Sequence, residues 1–338
     1  MRILVTGAAG FLGRATVAAA LADGHEVLAL TRAMSRYWAG NPRVTELTCD
    51  LAGSDARPFL EDIFQEGDAV IHCVAAKPGS DFRHAQDTIF PTEAVTTWAA
   101  RLADQGHKLR LVLVSSIAVY GYAGLPEGAV LDETTALEPS PERRDAYCRA
   151  KLAQEAVVMR AAQAHPLTVR IARPGVIFGK GRIWTSRLGL LFGGVALCIG
   201  GNATVPLTHV THTAQALVRA ATGPLARSDL PLGQGAGYLD VINIVQDAPP
   251  SQLRYLDSLR RSRRVWFVLR LPLRVLALAA TGAWFAGMLL PGLMRWLPGL
   301  LRTEALDARL KPLRYSNARL HDRLGYISAL TLQEGINE

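Results

Sequence analysis

The stretch "TGAAGFLG" at residues 6–13 constrains this chain more than any other part of it. It follows "RILVT", a short β-branched run, and opens "FLGRATVAAALADG", an alanine-rich segment of helical character closed by Gly24. A strand, a tight turn and a helix in that order place Gly7, Gly10 and Gly13 at intervals of three. Glycines there let the backbone turn sharply, approach a diphosphate closely and pack the helix against the strand. The helix N-terminus then offers N–H groups and the positive end of its dipole. A lone glycine triplet is weak, but between a first strand and a helix it points to dinucleotide binding.

The rest of the front half repeats the alternation. "HEVLAL" reads as the next strand, and apolar strand candidates recur at 44–48, 69–74, 109–115 and 168–172. Helical stretches such as 92–104 and 150–162 separate them. Strands alternating with helices predict an α/β fold with a doubly wound parallel sheet. At 338 residues the chain can hold one large or two smaller domains. We expect a nucleotide-binding Rossmann domain over 1–179 and a smaller, mainly substrate-binding portion over 180–338. Within the latter, "GRIWTSRLGLLFGGVALCIGGNATVPL" reads as a helix, a loop and a strand over the cleft.

"AYCRAK" at 146–151 puts Tyr147 and Lys151 four residues apart, on one face of a helix. That spacing alone is common. It gains meaning from its company: "DAVIHCVAA" at 68–76, "VSSIAVYG" at 114–121, "AYCRAKLAQE" at 146–155 and "RPGVIFG" at 173–179, all after the glycine turn. With these motifs in this order the chain resembles the extended short-chain dehydrogenase/reductase superfamily, of the NAD(P)-dependent epimerase/dehydratase type. The match runs to about residue 181, with fainter echoes at 204–214 and 316–326.

The resemblance implies a Ser-Tyr-Lys site. Tyr147 would exchange the proton of a substrate hydroxyl while the nicotinamide takes or returns a hydride. A free phenol titrates near ~10, so the Lys151 ammonium and the cofactor's positive ring are expected to lower it. Lys151 would also hold the nicotinamide ribose, and Ser116 would hydrogen-bond the reacting oxygen; Ser115 reads as structural. By the same resemblance Gly7, Gly10, Phe11, Leu12 and Gly13 line the cofactor, as do Thr31, Arg32, Asp50, Leu51, Val74, Ala75, Ala76 and Pro174, together with Tyr147 and Lys151. Asp50 matches the acid that contacts adenine.

Three places depart from the family pattern. Thr88 stands where many members carry Asn. Thr211 and His212 replace an acidic pair in "HVTHTAQA", and His212 reads as a pocket or structural residue more readily than as a base. His72 reads as a packed histidine. Thr31 ends the second strand where an acid would receive the adenosine ribose hydroxyls of NAD, and Arg32 follows, with Arg36 nearby. A guanidinium beside the 2′-oxygen favours NADP, with NAD the lesser candidate.

Charge and cysteine usage narrow the class further. The four cysteines form no CxxC pair, so a disulfide framework or a metal site is not expected and a cytoplasmic setting fits. The N-terminus breaks at glycines too soon for a signal peptide and reads as a strand. Residues 251–303 hold nine arginines and one acid, and 9 − 1 = +8 equals the formal net charge of the whole protein. The remainder is neutral, which argues against nucleic acid as a partner.

The same segment contains "VLALAATGAWFAGMLLPGLM", 275–294, twenty uncharged residues and long enough to span about 30 Å of hydrocarbon as a helix. Gly282, Gly287, Pro291 and Gly292 divide it, and the family-like closing segment after it must return to the same folded body. We therefore expect a monotopic contact with an anionic membrane surface, on the cytoplasmic face. A buried helical subdomain or a homodimer interface is the alternative. For function, three readings stand at this point. The first is an epimerase, dehydratase or reductase acting on a nucleotide-activated or lipid-linked sugar. The second is a 3β-hydroxysteroid dehydrogenase-like oxidoreductase on a lipid alcohol. The third is a non-catalytic NADP-binding regulator.

Overall fold

Alternate residues of the first strand, β1 (Arg2–Thr6), serve two different cores: Ile3 and Val5 face one and Leu4 faces the other. The same two-sided burial recurs along β4 (Ala69–His72) and β5 (Arg110–Val114). A strand buried on both faces must be apolar throughout and covered by helices on both sides. The computed structural model of the chain, which describes residues 1–63, 68–76, 79–199, 201–225, 237–271, 310–325 and 330–337, has that arrangement.

Seven parallel strands form the central sheet. With β2 (Glu26–Thr31), β3 (Val44–Thr48), β7 (Thr168–Pro174) and β12 (Tyr238–Ile244), the order is β12-β7-β5-β4-β1-β2-β3. Helices α1 (Phe11–Ala22) and α6 (Val210–Thr222) cover one face, α1 through Val17 and Ala20, α6 through Leu217 and Ala221. Helices α4 (Phe90–Asp104) and α5 (Ala146–Ala164) cover the other, through Trp98, Leu102, Val158 and Ala162. This is the doubly wound Rossmann-like sheet that the alternation implied.

The seventh strand, β12, comes from beyond residue 179 and has no counterpart in the sequence reading. Its polar residues conceal it: Asp240 and Asn243 are fully buried, and the Asp240 carboxylate and the Asn243 side-chain oxygen have partners, while Asn243 Nδ2 has none among the described residues. Arg170 Nε donates to Asp240 at 3.1 Å and Arg323 donates to the same carboxylate. The Tyr120 hydroxyl donates to Asn243 Oδ1 at 2.7 Å. Paired in this way, the Asp240 carboxylate and the Asn243 oxygen are tolerated in a buried strand at the edge of the sheet.

A smaller lobe lies after β7. It contains the pair β8 (Val176–Phe178) and β11 (Leu207–His209), and a three-stranded sheet of β9 (Leu190–Phe192), β10 (Val195–Ile199) and β13 (Phe267–Leu271) in the order β13-β10-β9. Helix α7 (Gln252–Arg261) buries Tyr255, Leu256 and Leu259 in its core. The helix expected after residue 181 is instead a short 3-10 turn at 186–188 and the β9–β10 hairpin. Gly193 and Gly194, at φ 53° and 89°, form a two-residue turn that only residues at ease with positive φ can make. The run 275–294 lies outside the described residues. Among the described residues no helix is long and apolar enough to cross a membrane.

Candidate active site

All the cofactor residues named from the sequence gather at the carboxyl edge of the sheet, where a doubly wound fold opens its crevice. At the end of β1, Gly7 has φ 66°, and a Cβ there would lie 3.2 Å from Val74 N. A Cβ on Gly13 would stand 2.2 Å from Gly7 O, so the third glycine is fixed by helix–turn packing. Gly10 N-caps α1 without any side-chain cap, leaving the first-turn N–H groups to an outside acceptor. Phe11 and Leu12 begin the helix, half-buried. The turn thus fits a dinucleotide diphosphate: close backbone, no Cβ in the way, and free donors.

Thr31 ends β2 with its hydroxyl donated to Ala33 O at 2.8 Å. Arg32 is 67% exposed and its Nη1 meets Asp87 Oδ1 at 2.7 Å, with Arg83 on the other oxygen of Asp87. The guanidinium that argued for NADP therefore has a protein carboxylate as its partner. Asp50 follows β3, exposed, and accepts from Ala52 N at 3.1 Å, while Leu51 beside it is buried. Val74 and Ala75 border the crevice after β4. Ala76 N donates to Thr88 Oγ1 at 2.8 Å, so the residue in place of the family's Asn pins this loop. Pro174 is buried at the end of β7.

Ser115 and Ser116 follow β5 and divide their tasks. Ser115 donates to Glu155, which Arg173 also binds through two nitrogens at 2.9 and 2.6 Å; this is a buried structural knot. Ser116 accepts from Ala118 N at 3.2 Å, and its hydroxyl stands near enough to the Tyr147 phenol to favour the ionised form. Asp145 caps α5 by accepting from Cys148 N, and this fixes Tyr147 and Lys151 in the first two turns. Lys151 Nζ lies 5.9 Å from the centre of the Tyr147 ring.

The electrostatics differ from the sequence expectation in one respect. Burial raises the Tyr147 phenol above its ordinary value, against the opposing pull of the Ser116 hydrogen bond and the Arg182 charge. Lys151 does not supply the main pull. Its ammonium, 3% exposed, donates to Val114 O at 2.8 Å and to Gln154 Oε1 at 2.9 Å, and burial lowers it to about 8. From Gln154 a buried chain continues: Nε2 to Thr92 Oγ1 at 2.6 Å, Thr92 to His72 Nε2 at 3.1 Å, and His72 Nδ1 to Thr6 Oγ1 at 2.8 Å. His72 is the packed histidine its position suggested, lowered by burial to about 3.

Three further residues belong to this site that the sequence reading did not name. Gln154 sits at i+3 from Lys151, a spacing that places it on the same helix face and could have flagged it. Asp87 engages Arg32 through a contact no local pattern reveals. His84 ends a short helix, Asp81–His84, with its ring edge-on to Tyr147 at 6.2 Å. Of the arginines in the back half, Arg182 stands over the Phe11 ring at 5.5 Å and acts on Tyr147. Arg187 engages Tyr122, and Arg219 reaches Gly325 O at 3.2 Å. His212 packs against His209, ring centres 5.7 Å apart.

The family model described as "NAD dependent epimerase/dehydratase family" matches residues 3–229, about two thirds of the chain. The chain belongs to the NAD-dependent epimerase/dehydratase family. Within that family it is 30% identical over 192 residues to a dTDP-6-deoxy-L-talose 4-dehydrogenase (NAD(P)(+)) of Kitasatospora kifunensis, covering 56% of this chain and 57% of that one. It is 34% identical over 147 residues to a dTDP-glucose 4,6-dehydratase of Mycolicibacterium smegmatis, covering 41% and 44%. The chain thus spans about half the length of these curated relatives. Among solved structures, the UDP-glucuronic acid 4-epimerase of Bacillus cereus in complex with NAD superposes with a TM-score of 0.69 at 18% identity, over 100% of this chain and 96% of that one. MoeE5 in complex with UDP-glucuronic acid and NAD gives 0.68 at 19%, over 99% and 96%. These likenesses establish the fold of the family in this chain.

Proposed function

We propose that this chain is an NAD(P)-dependent epimerase, dehydratase or reductase acting on a nucleotide-activated sugar. The observation that carries the reading is Lys151 Nζ 5.9 Å from the centre of the Tyr147 ring, with Ser116 close enough to act on the phenol, beside a glycine turn shaped for a dinucleotide. A bound nicotinamide would supply a hydride acceptor or donor at its C4. The chain's own residues handle the proton. Tyr147, held protonated by burial, gives its proton to a carbonyl oxygen as that carbon is reduced, and takes it back when a carbinol is oxidised. Ser116 donates to the same oxygen and aligns it. Lys151 places a fixed positive charge under the site and holds the ribose.

Arg182, at the edge of both Phe11 and Tyr147, is the arginine suited to a sugar-nucleotide diphosphate. The smaller lobe after residue 179 would form the substrate side of the cleft. Cofactor preference is proposed as NADP over NAD. Support comes from Thr31 standing where an acid would repel a 2′-phosphate, and from Arg32, whose exposed pair with Asp87 is weak enough to exchange. The named neighbours were solved with NAD. A lipid-linked sugar or a lipid alcohol is the second reading, favoured by the basic apolar segment 251–303. That segment is proposed to contact an anionic membrane surface from the cytoplasmic side, with a homodimer as the alternative use.

Mass identification of ligand released from the purified protein on denaturation tests the reading. A pyridine dinucleotide with a UDP- or dTDP-hexose is the expected result. Release of a sterol or polyprenyl compound would move the assignment to the lipid reading. Failure of the purified chain to bind either pyridine dinucleotide on titration would overturn it.

A further inference from the structure

The small sheet of the second lobe presents an outward face with no polar side chain on it. Its cross-strand register aligns Phe192, Val195 and Phe267 in one row and Leu190, Leu197 and Leu269 in the next. In the intervening row Ala196 is fully buried and Val268 packs on the core, while Leu191 at its outer end is 38% exposed. A sheet with one face on a core ordinarily shows water an alternating polar face. Here Phe192 is 66% exposed, Phe267 59% and Leu269 51%, and Trp266 beside them is 75% exposed. Contiguous exposure of this kind marks an interaction surface.

Its rim is basic. Helix α7 buries its apolar stripe and turns Arg254, Arg260 and Arg261 outward; Arg263 and Arg264 follow in the turn to β13. Arg260, Arg261, Arg263 and Trp266 share one shallow surface depression with a single acid, Asp257. Trp266 N donates to Gly194 O at 2.8 Å, which ties the tryptophan to the tip of the β9–β10 hairpin.

We propose that this face docks on an anionic lipid surface, with the two apolar rows in the outer acyl region and the arginines at the headgroups. An aromatic–aliphatic patch bounded by arginine and tryptophan matches the layering of a membrane interface. A second copy fits less well, because a two-fold contact through this patch would bring the two arginine rims together. The inference deepens the membrane part of the function proposed above by joining residues 190–197 to Trp266, Phe267 and Leu269 of the segment 251–303 in one face, and it is independent of the catalytic reading.

Flotation of the full chain with vesicles of phosphatidylcholine, alone or mixed with phosphatidylglycerol, tests it. Wild type should float with the mixed vesicles and less with the neutral ones. The double variant Phe192→Ser, Phe267→Ser should lose at least about tenfold in bound fraction with an unchanged thermal midpoint, since both side chains are exposed. Arg260→Gln with Arg261→Gln should remove the preference for the anionic vesicles. Wild-type flotation of the Phe192, Phe267 variant would overturn the face while leaving the segment reading standing. A wild type that floats with neither vesicle would overturn both.

A second, independent observation concerns His84. Its side chain is 2% exposed, and neither ring nitrogen has a hydrogen-bond partner, although it stands edge-on to Tyr147. A buried imidazole left unpaired is retained against a free-energy cost unless something binds to it. The geometry points to His84 as a substrate-contacting residue that hydrogen-bonds an oxygen next to the one served by Tyr147. Burial keeps the ring neutral, helped by Lys151 and Arg149 and opposed by Asp81 and Asp145. A neutral ring can both donate and accept.

This rests on the catalytic reading of Tyr147, and the test separates the two. UDP-glucose, UDP-glucuronic acid and dTDP-glucose are titrated calorimetrically into the dinucleotide-loaded wild type and into His84→Phe and His84→Gln. For a probe that binds, Phe should weaken affinity at least about tenfold without lowering dinucleotide affinity or the thermal midpoint, and Gln should restore part of it. Unchanged affinity in His84→Phe, or a lowered midpoint with affinity intact, would overturn the assignment and leave Tyr147 untouched. Binding of no probe to wild type would overturn it along with the nucleotide-sugar reading.

Discussion

Lys151 Nζ donates to Gln154 Oε1 at 2.9 Å, and the amide of Gln154 donates onward to Thr92 at 2.6 Å. The buried ammonium is thus held by Gln154, one turn along the same helix. Lys151 is lowered by burial to about 8, so its ammonium is lost as pH rises through that value. Gln154→Leu removes an acceptor that favours the ammonium and lowers the lysine further. The alkaline limb of the kcat/KM profile should then move to lower pH. Gln154→Glu adds a negative charge and should move it upward. A limb that stays in place in both variants would show that Gln154 does not act through Lys151.

The proposed preference for NADP rests on Arg32 and its pair with Asp87. Arg32→Ala should weaken NADP by about tenfold and leave NAD nearly unchanged, as read by fluorescence titration. Asp87→Asn frees the guanidinium from its carboxylate partner and should strengthen NADP. Equal affinities for both dinucleotides in wild type would refute the electrostatic argument.

Gly13 has no room for a side chain, because a Cβ there would stand 2.2 Å from Gly7 O. Gly13→Ala should displace the turn and reduce dinucleotide affinity by an order of magnitude or more, with a lower thermal midpoint. Retained affinity would mean that the turn is not the phosphate cradle.

His72 ties the site to acid stability. Its folded pKa, about 3, is lower than its ordinary 6.5. Below pH 6.5 the unfolded chain takes up a proton that the folded chain refuses, so stability falls as pH drops from 6.5 toward 3 and is unaffected above that window. The loss at pH 3 is on the order of 5 kcal/mol at most. His72→Gln should flatten this part of the urea-midpoint profile relative to wild type. Parallel profiles would place the acid sensitivity elsewhere.

The parts of the fold and site that were legible in the sequence are those with local signals. The glycine turn, the apolar strands buried on both faces and the Tyr147–Lys151 spacing each express a rule that operates within a few residues. Strand β12 was hidden because Asp240 and Asn243 take their partners from Arg170, Arg323 and Tyr120, which lie far away in sequence. The β9–β10 hairpin was read as a helix because its apolar run outweighed two glycines whose positive φ decides the turn. Gln154, Asp87 and His84 acquire their roles only when separate helices meet. The phenol of Tyr147 is raised by burial, and burial is a property of the assembled core.

The central claim is that Tyr147 moves the proton of the reaction, and single-turnover hydride transfer in Tyr147→Phe tests it most directly. Removing the hydroxyl leaves the ring, the helix and the glycine turn in place. The account predicts a loss of roughly 10²–10⁴-fold or more in the transfer rate, with dinucleotide affinity within a few-fold of wild type. A Tyr147→Phe variant that transfers hydride at the wild-type rate would contradict it.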